Sequence, residues 1–341
     1  MAKKAEMTPI ERIKATMNRK ETDRVPVVPQ TIYCGIRYAG FKVGKCFVDV
    51  EEYVQSQLQC LEDFGWDAAW VVGGVDIVAV ALGAKTRYYE DDAPLIIDHP
   101  IKTREDLERI RTIDVMAQEQ IQNRLRCTSE LRKAVSKDVA IFALMRAPYN
   151  TSCMLRGVEC LYRNMISDPG FVTEILEFAT EKSIEHALAL TEAGADVVWM
   201  GNSVAGGLTI SRKHYEQFAH PYSKRAFHKL KANGVTTVLH TCGDWNDRFD
   251  LVVEEGADCW HVSDYADLGA LKERYGDRVA LMGNVGSVRV MTGSPEEVAE
   301  ESRKCIQAAG SNGGFILSAD CAVPRDAPKD NMMAMAKAAR D

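Results

Sequence analysis

Positive charge is in deficit: 42 Lys and Arg stand against 49 Asp and Glu, for a formal net charge of −7. A nucleic-acid binder carries a basic stripe. The only basic-leaning stretches, the pair Lys3 and Lys4 and residues 224–231, read as solvated helix surface. No apolar run approaches the roughly 18 residues a transmembrane helix needs. The opening MAKKAEMTPIERIK has no apolar core of the kind a signal peptide carries. No nucleic-acid partner and no membrane are therefore expected, and the location is expected to be cytoplasmic. Pro/Gly/Ser-rich linkers and low-complexity tracts are also missing, so one domain over residues 1–341 is expected. There is no phosphate-binding loop, no G-x-S-x-G and no G-x-G-x-x-G after the first apolar run. What is present is globular: 46% hydrophobic and 27% charged residues, an ordinary balance for a packed core. Ten cysteines in a cytosolic chain read as small buried hydrophobes rather than a disulfide set.

Short apolar runs alternate with amphipathic stretches. Thr8-Pro9-Ile10-Glu11 is a capping box with Pro at the first helical position, opening a helix to about residue 20. Eight runs read as buried parallel strands: 25–28, 68–72, 139–144, 196–200, 236–239, 258–262, 279–282 and 315–318. Helical patterns fall between them, at 51–64, 169–193, 211–232, 268–275 and 295–309. This alternation predicts an α/β fold, a (β/α)8 TIM barrel with an N-terminal helical extension. An insertion at about 83–137 interrupts it: a small hairpin, TRYYEDD then PLIIDHP, and a charged helical stretch.

In such a barrel the active site lies where the strands end. The fifth run ends in VLHTCG, which puts His240 and Cys242 two residues apart. Residues i and i+2 of an extended segment point to one side. The eighth run ends in FILSADC, which brings Cys321 to the same rim. One imidazole and two thiolates suit Zn2+ with an open fourth position. A His-x-Cys after a buried run also arises as ordinary core and loop, and the third Cys at a matching strand end is what strengthens the metal reading. Cys34 and Cys153 are the weaker candidates for a fourth ligand, which would make the site structural. His261 reads as a satisfied core histidine, and His214, His220 and His228 as surface.

The phrases TPIERIKATMNRKETDRVPV and GVDIVAVALGAKTRYYEDDAPLI resemble the uroporphyrinogen decarboxylase superfamily, and the resemblance runs nearly the length of the chain. The superfamily is a (β/α)8 barrel and divides into metal-free decarboxylases and zinc-dependent corrinoid methyltransferases. LHTCGD and GGFILSADCAVPRDAPKDNMMAMAKAA resemble the methylcobalamin:coenzyme M methyltransferase group. The resemblance implies that His240, Cys242 and Cys321 bind zinc. The decarboxylase pattern Arg-Gln-Ala-Gly-Arg reads here Arg37-Tyr38-Ala39-Gly40-Phe41, which leaves tetrapyrrole carboxylates poorly matched. Asp76 sits in a phrase resembling the decarboxylase's essential Asp segment, as a catalytic group or a helix N-cap. In resembling methyltransferases an Asp-Pro-like segment follows the fourth strand; here it is Gly201-Asn202-Ser203.

The family implies methyl transfer with a corrinoid (cobalamin) on a separate partner protein, since this chain has no Asp-x-His-x-x-Gly signature. The second partner is a small-molecule methyl donor or acceptor, and a homodimer is compatible with the sequence. Zinc acts as Lewis acid either on the oxygen of an O-methyl donor or on an acceptor thiol. Tyr33, Met145, Tyr149, Trp199 and Met200 are expected to line the pocket with Arg146 and Asn202. That mainly aromatic and apolar lining leans toward a methoxyaromatic donor. Transfer to a thiol such as coenzyme M, or to tetrahydrofolate, is the alternative, and decarboxylation the weakest reading.

Overall fold

The structure, a computed structural model, describes residues 6–340; Lys3 and Lys4 lie outside the described residues. Strand β1 (Ala68–Val71) is followed by the pair β2 (Lys85–Arg87) and β3 (Leu95–Asp98). Then come β4 (Ala140–Arg146), β5 (Val197–Gly201), β6 (Thr236–Thr241), β7 (Cys259–Val262), β8 (Ala280–Val285) and β9 (Phe315–Ala319). One seven-stranded sheet runs β1-β4-β5-β6-β7-β8-β9, with every pairing parallel. Helices connect and cover the strands. Strands buried on both faces need apolar side chains in both directions, which is why these runs do not alternate with polar residues.

The first stave, which completes the set of eight, departs from expectation. Residues 25–30 are not a regular strand but two isolated parallel bridges, Val27 to Leu317 and Gln30 to Ala322. Pro26 and Pro29 have no N–H to give to a ladder. The segment still closes the ring. Val28 N donates to Leu317 O, Leu317 N to Pro26 O and Val323 N to Gln30 O, each at 2.9 Å. On the other side Asp67 N donates to Val27 O at 3.0 Å. Asp67 supplies what the prolines cannot. Its fully buried carboxylate accepts from Val27 N at 2.8 Å, from Arg12 Nη1 at 2.6 Å and from both terminal nitrogens of Arg24 at 2.8 and 3.0 Å.

The expected helices stand close to their expected bounds: Val50–Phe64, Pro169–Glu192, Leu268–Tyr275 and Pro295–Ala309. The N-terminal helix is Pro9–Met17, with the Thr8/Glu11 capping box formed. The helix expected over 211–232 is instead two, Arg212–Phe218 and His220–Ala232. Pro221 begins the second because its ring cannot follow helical backbone. His220 is mostly buried at that break, with Nδ1 3.2 Å from the Glu255 carboxylate, so the surface expectation for it is corrected. The insertion forms the β2–β3 hairpin and the helices Arg104–Arg111 and Glu119–Ala134. Among the described residues no helix is long and apolar enough to cross a membrane.

Replacing Asp67 with Asn removes the charge that two arginines share while keeping the side chain's size. Breaking a buried ion pair leaves an uncompensated charge, at a cost of about 3–5 kcal/mol. Urea unfolding of Asp67→Asn is expected to show a loss of that order, and a loss below about 1 kcal/mol would remove Asp67 as the closing clamp.

Candidate active site at the barrel mouth

The inner face of the barrel is set by register. Trp199 pairs with Leu144 and Val238, and Gly201 with Arg146 and His240. Paired residues of parallel strands share a face. His240 in turn pairs with His261. The aromatic rings stack down this interior: Trp199 to His240 at 4.7 Å, His240 to His261 at 4.6 Å, and Trp70 edge-on to Trp199 at 6.2 Å. The stack is also hydrogen-bonded. His261 Nε2 lies 2.7 Å from Ala319 O, and its Nδ1 accepts from Trp199 Nε1 at 3.2 Å. Burial drives the His261 pKa well below its usual value, so the ring is neutral.

The same logic fixes the tautomer of His240. Its Nδ1 lies 3.3 Å from His261 O. A carbonyl can only accept, so Nδ1 carries the proton and Nε2 keeps its lone pair. That Nε2 is 3.6 Å from Cys321 Sγ, and Cys321 Sγ is 3.9 Å from Cys242 Sγ. All three donor atoms lie within 4.8 Å of one another. Around a tetrahedral zinc, two sulfurs at about 2.3 Å stand about 3.8 Å apart, and a sulfur and a nitrogen about 3.6 Å. The donor set therefore fits the ion in chemistry and in two of its three spacings, while the third pair, His240 Nε2 and Cys242 Sγ, lies within 4.8 Å and would have to draw together around the ion. Among the described residues no fourth His, Cys, Asp or Glu joins the group. Cys34 and Cys153 are buried outside it.

The loops that carry the thiols are braced. Beyond β6 the chain turns at Gly243, whose φ of 79° is in the left-handed region that glycine tolerates. Trp245 Nε1 donates to Cys242 O at 3.0 Å and Ser263 Oγ to Gly243 O at 2.5 Å. Beyond β9, Asp320 N donates to Val285 O at 2.8 Å, and its Oδ1 accepts from Ser287 N at 2.7 Å. The two thiols titrate as a pair. Donation from the Cys321 thiol lowers the Cys242 pKa to about 7 against the cost of burial, with Arg146 helping. The same contact pushes Cys321 up to about 12.

Next to this cluster lies a cavity of about 430 Å3. Tyr33, Asp76, His99, Arg146, Asn150 and Ser203 are its polar lining; Pro94, Leu95, Ile96, Met154, Val158 and Val204 are the larger part of its apolar lining. Of the expected lining residues Tyr33 and Arg146 border this cavity, and the Tyr33 hydroxyl donates to Gly74 O at 3.4 Å. Asp76 is an N-cap: Oδ1 accepts from Val78 N and Ala79 N at 3.1 Å each. Burial raises its pKa, opposed first by the Thr151 side chain and then by those amides and the charge of Arg146. Asn202 is fully buried beside β6, donating its N–H to His240 O at 3.3 Å, with both side-chain polar atoms unpartnered.

Four expected lining residues lie elsewhere. Trp199 is interior core beneath His240. Met145 and Met200 alternate with Leu144 and Trp199, so they face the helical layer. Tyr149 is fully buried on helix Pro148–Arg156, its hydroxyl 3.4 Å from Met165 Sδ. The sequence reading passed over the hairpin residues 94–96 and Asn150. The signal was available: the hairpin lies in the connection between β1 and β4, and Asn150 in the first turn of the helix that follows β4.

Fold and site together define an α/β-barrel enzyme with an imidazole and two thiols gathered at the mouth. The chain belongs to the uroporphyrinogen decarboxylase family, whose model matches residues 8–341. It is 24% identical to a methylcobamide:CoM methyltransferase, MtbA of Methanosarcina acetivorans, over 98% of each chain. It is 26% identical to a uroporphyrinogen decarboxylase of Carboxydothermus hydrogenoformans, covering 82% of this chain and 79% of that one. A solved methyltransferase structure from Methanosarcina mazei shares the fold, with a TM-score of 0.90 at 24% identity over 98% of this chain and 99% of that one.

In metal-free protein the thiolate is the form that alkylates. Labelling by iodoacetamide near neutral pH is expected at Cys242 ahead of Cys321, with the rate falling as pH drops through about 7. In Cys321→Ala the donated hydrogen bond is gone, so the midpoint is expected to move to higher pH. An unmoved midpoint would disprove the coupling.

Proposed function

We propose that this chain is a zinc-dependent methyltransferase, moving a methyl group between the corrinoid of a separate protein and a small-molecule substrate that reacts through sulfur. The observation that carries this reading is the convergence of His240 Nε2, Cys242 Sγ and Cys321 Sγ with no fourth ligand beside them among the described residues. A structural site closes with four protein ligands, whereas a catalytic one keeps a position for substrate. Held there, zinc supplies Lewis acidity that turns a substrate thiol into a thiolate at neutral pH. The corrinoid supplies the methyl carrier, and its partner protein has to approach the mouth, since all three donors lie at that rim.

The residues of this chain do the positioning. His240 is held edge and face by the His261 carbonyl and the Trp199 ring, so its Nε2 stays aimed at the thiols. Asp76 keeps its structural role as cap of the helix Ile77–Ala81. The full-length relative is named for a thiol acceptor, coenzyme M. That relative turns the preference away from the methoxyaromatic donor that the expected aromatic lining suggested, and much of that lining lies outside the cavity. The apolar wall at Pro94, Leu95, Ile96 and Met154 keeps the O-methyl donor as the second reading.

Purified protein is expected to carry about one zinc per chain, and Cys321→Ala to lose it together with activity. Zinc-loaded protein is then offered methylcobalamin with thiols, and separately reduced corrinoid with methoxyaromatics. Methylation of thiols supports the first reading, and demethylation of methoxyaromatics alone the second. Zinc-free wild type with undiminished transfer would overturn both.

A further inference from the structure

A second cavity, enclosed and of about 10 Å3, lies on the far side of Asp76 and Arg146, which border both it and the 430 Å3 cavity. Arg124 of helix Glu119–Ala134, Thr151 of helix Pro148–Arg156 and His186 of helix Pro169–Glu192 complete its polar lining. Met145 of β4, which faces the helical layer, is part of its apolar lining. The volume is that of one water or one monatomic ion.

Two side chains on this wall lack the partners their burial demands. Arg124 is 4% exposed and has no carboxylate within ion-pair distance among the described residues. Its Nη2 donates to Phe47 O at 3.3 Å, its guanidinium bonds the Cys127 thiol and lies 5.7 Å from the centre of the Tyr53 ring. None of these carries a full negative charge, and Nε is buried with no partner. His186 is 1% exposed, and neither ring nitrogen has a partner. Burial, helped by the charge of Arg124, pushes its pKa down to about 4, so the neutral ring keeps one N–H to donate. Asp76 is the one carboxylate on the wall and faces two guanidinium groups, Arg124 and Arg146. Its Oδ1 is already held by the Val78 and Ala79 amides, and the Thr151 side chain bonds it as well. At least one positive charge is thus in excess. A water would accept the free N–H bonds and leave that charge uncompensated, whereas an anion answers both needs.

We propose that this enclosed cavity is a binding site for a monatomic anion of the chloride class, held by Nε–H of Arg124 and a ring N–H of His186. Polyatomic anions are excluded by the volume. The bound halide ties helix Glu119–Ala134 of the insertion and helix Pro169–Glu192 of the barrel to the partition that Asp76 and Arg146 form, and so fixes the rear wall of the larger cavity. The site uses none of the metal-ligand residues and stands independently of the methyltransferase reading.

The test follows thermal unfolding at constant ionic strength while sodium gluconate is exchanged for sodium chloride or sodium bromide. A ligand that binds only the folded chain raises the midpoint as its concentration passes its dissociation constant. Wild type is expected to gain roughly 2–4 °C by about 0.2 M halide. Arg124→Gln is expected to lose that gain. Lys133→Gln, an exposed change on the same helix, is expected to keep it. Crystals soaked in bromide are expected to show an anomalous peak between Arg124 and His186, which decides the matter on wild type alone if Arg124→Gln fails to fold. A midpoint indifferent to halide, a gain retained in Arg124→Gln, a gain lost in Lys133→Gln, or a cavity without a bromide peak would each overturn the proposal, whatever the zinc and methyl-transfer assays show.

Discussion

The buried contact of Asp67 with Arg12, Arg24 and the Val27 amide is the constraint on which the barrel depends. A closed sheet needs each stave to pair on both sides. The first stave carries two prolines and lacks the donors for that. Asp67 sits just before β1, accepts the Val27 amide with its carboxylate and donates its own amide to Val27 O. The two arginines pair with the carboxylate in the interior. Because this clamp closes the ring between β9 and β1, the end of β9 comes around to the end of β6. Cys321 then meets His240 and Cys242 across the mouth.

From that closure the site follows by packing. The rings of Trp199, His240 and His261 fill the barrel interior, which organic-crystal density leaves no room to rearrange. Their hydrogen bonds run in one direction, from Trp199 to His261 and from His261 to Ala319, with His240 donating to the His261 carbonyl. Each donor is used once, and the one lone pair left over is His240 Nε2. The reactive nitrogen is therefore a product of core satisfaction. The same arrangement keeps His261 neutral, so no buried positive charge competes with a cation at the thiols.

The cavity follows a different rule. Its apolar wall comes from the hairpin and the helix after β4, which are excursions from the barrel, while its charge comes from a strand end. Barrel folds separate stability from specificity in this way, with the chemistry at the strand ends and the selectivity in the loops above them. Arg146 stands where the two meet, across from Gly201 on β5.

The sequence alone was enough for the alternation of buried runs and amphipathic helices, since a parallel strand covered on both faces must be apolar throughout. It also singled out His240, Cys242 and Cys321, because the period of two and the strand-end rule place side chains without reference to the rest of the chain. It misjudged the residues whose role depends on facing. Met145 and Met200 sit one step from inward-pointing neighbours, and a one-residue shift reverses the face. Tyr149 lies just past a strand, where a helix turns it away. The helical pattern over 211–232 is broken at Pro221, whose ring sets the start of a second helix. Only the tertiary structure decided the closure by a proline-bearing stave, the tautomer of His240 and the unpartnered ring of His186. Each of these depends on atoms far apart in the chain meeting in space, and no local pattern encodes such a meeting.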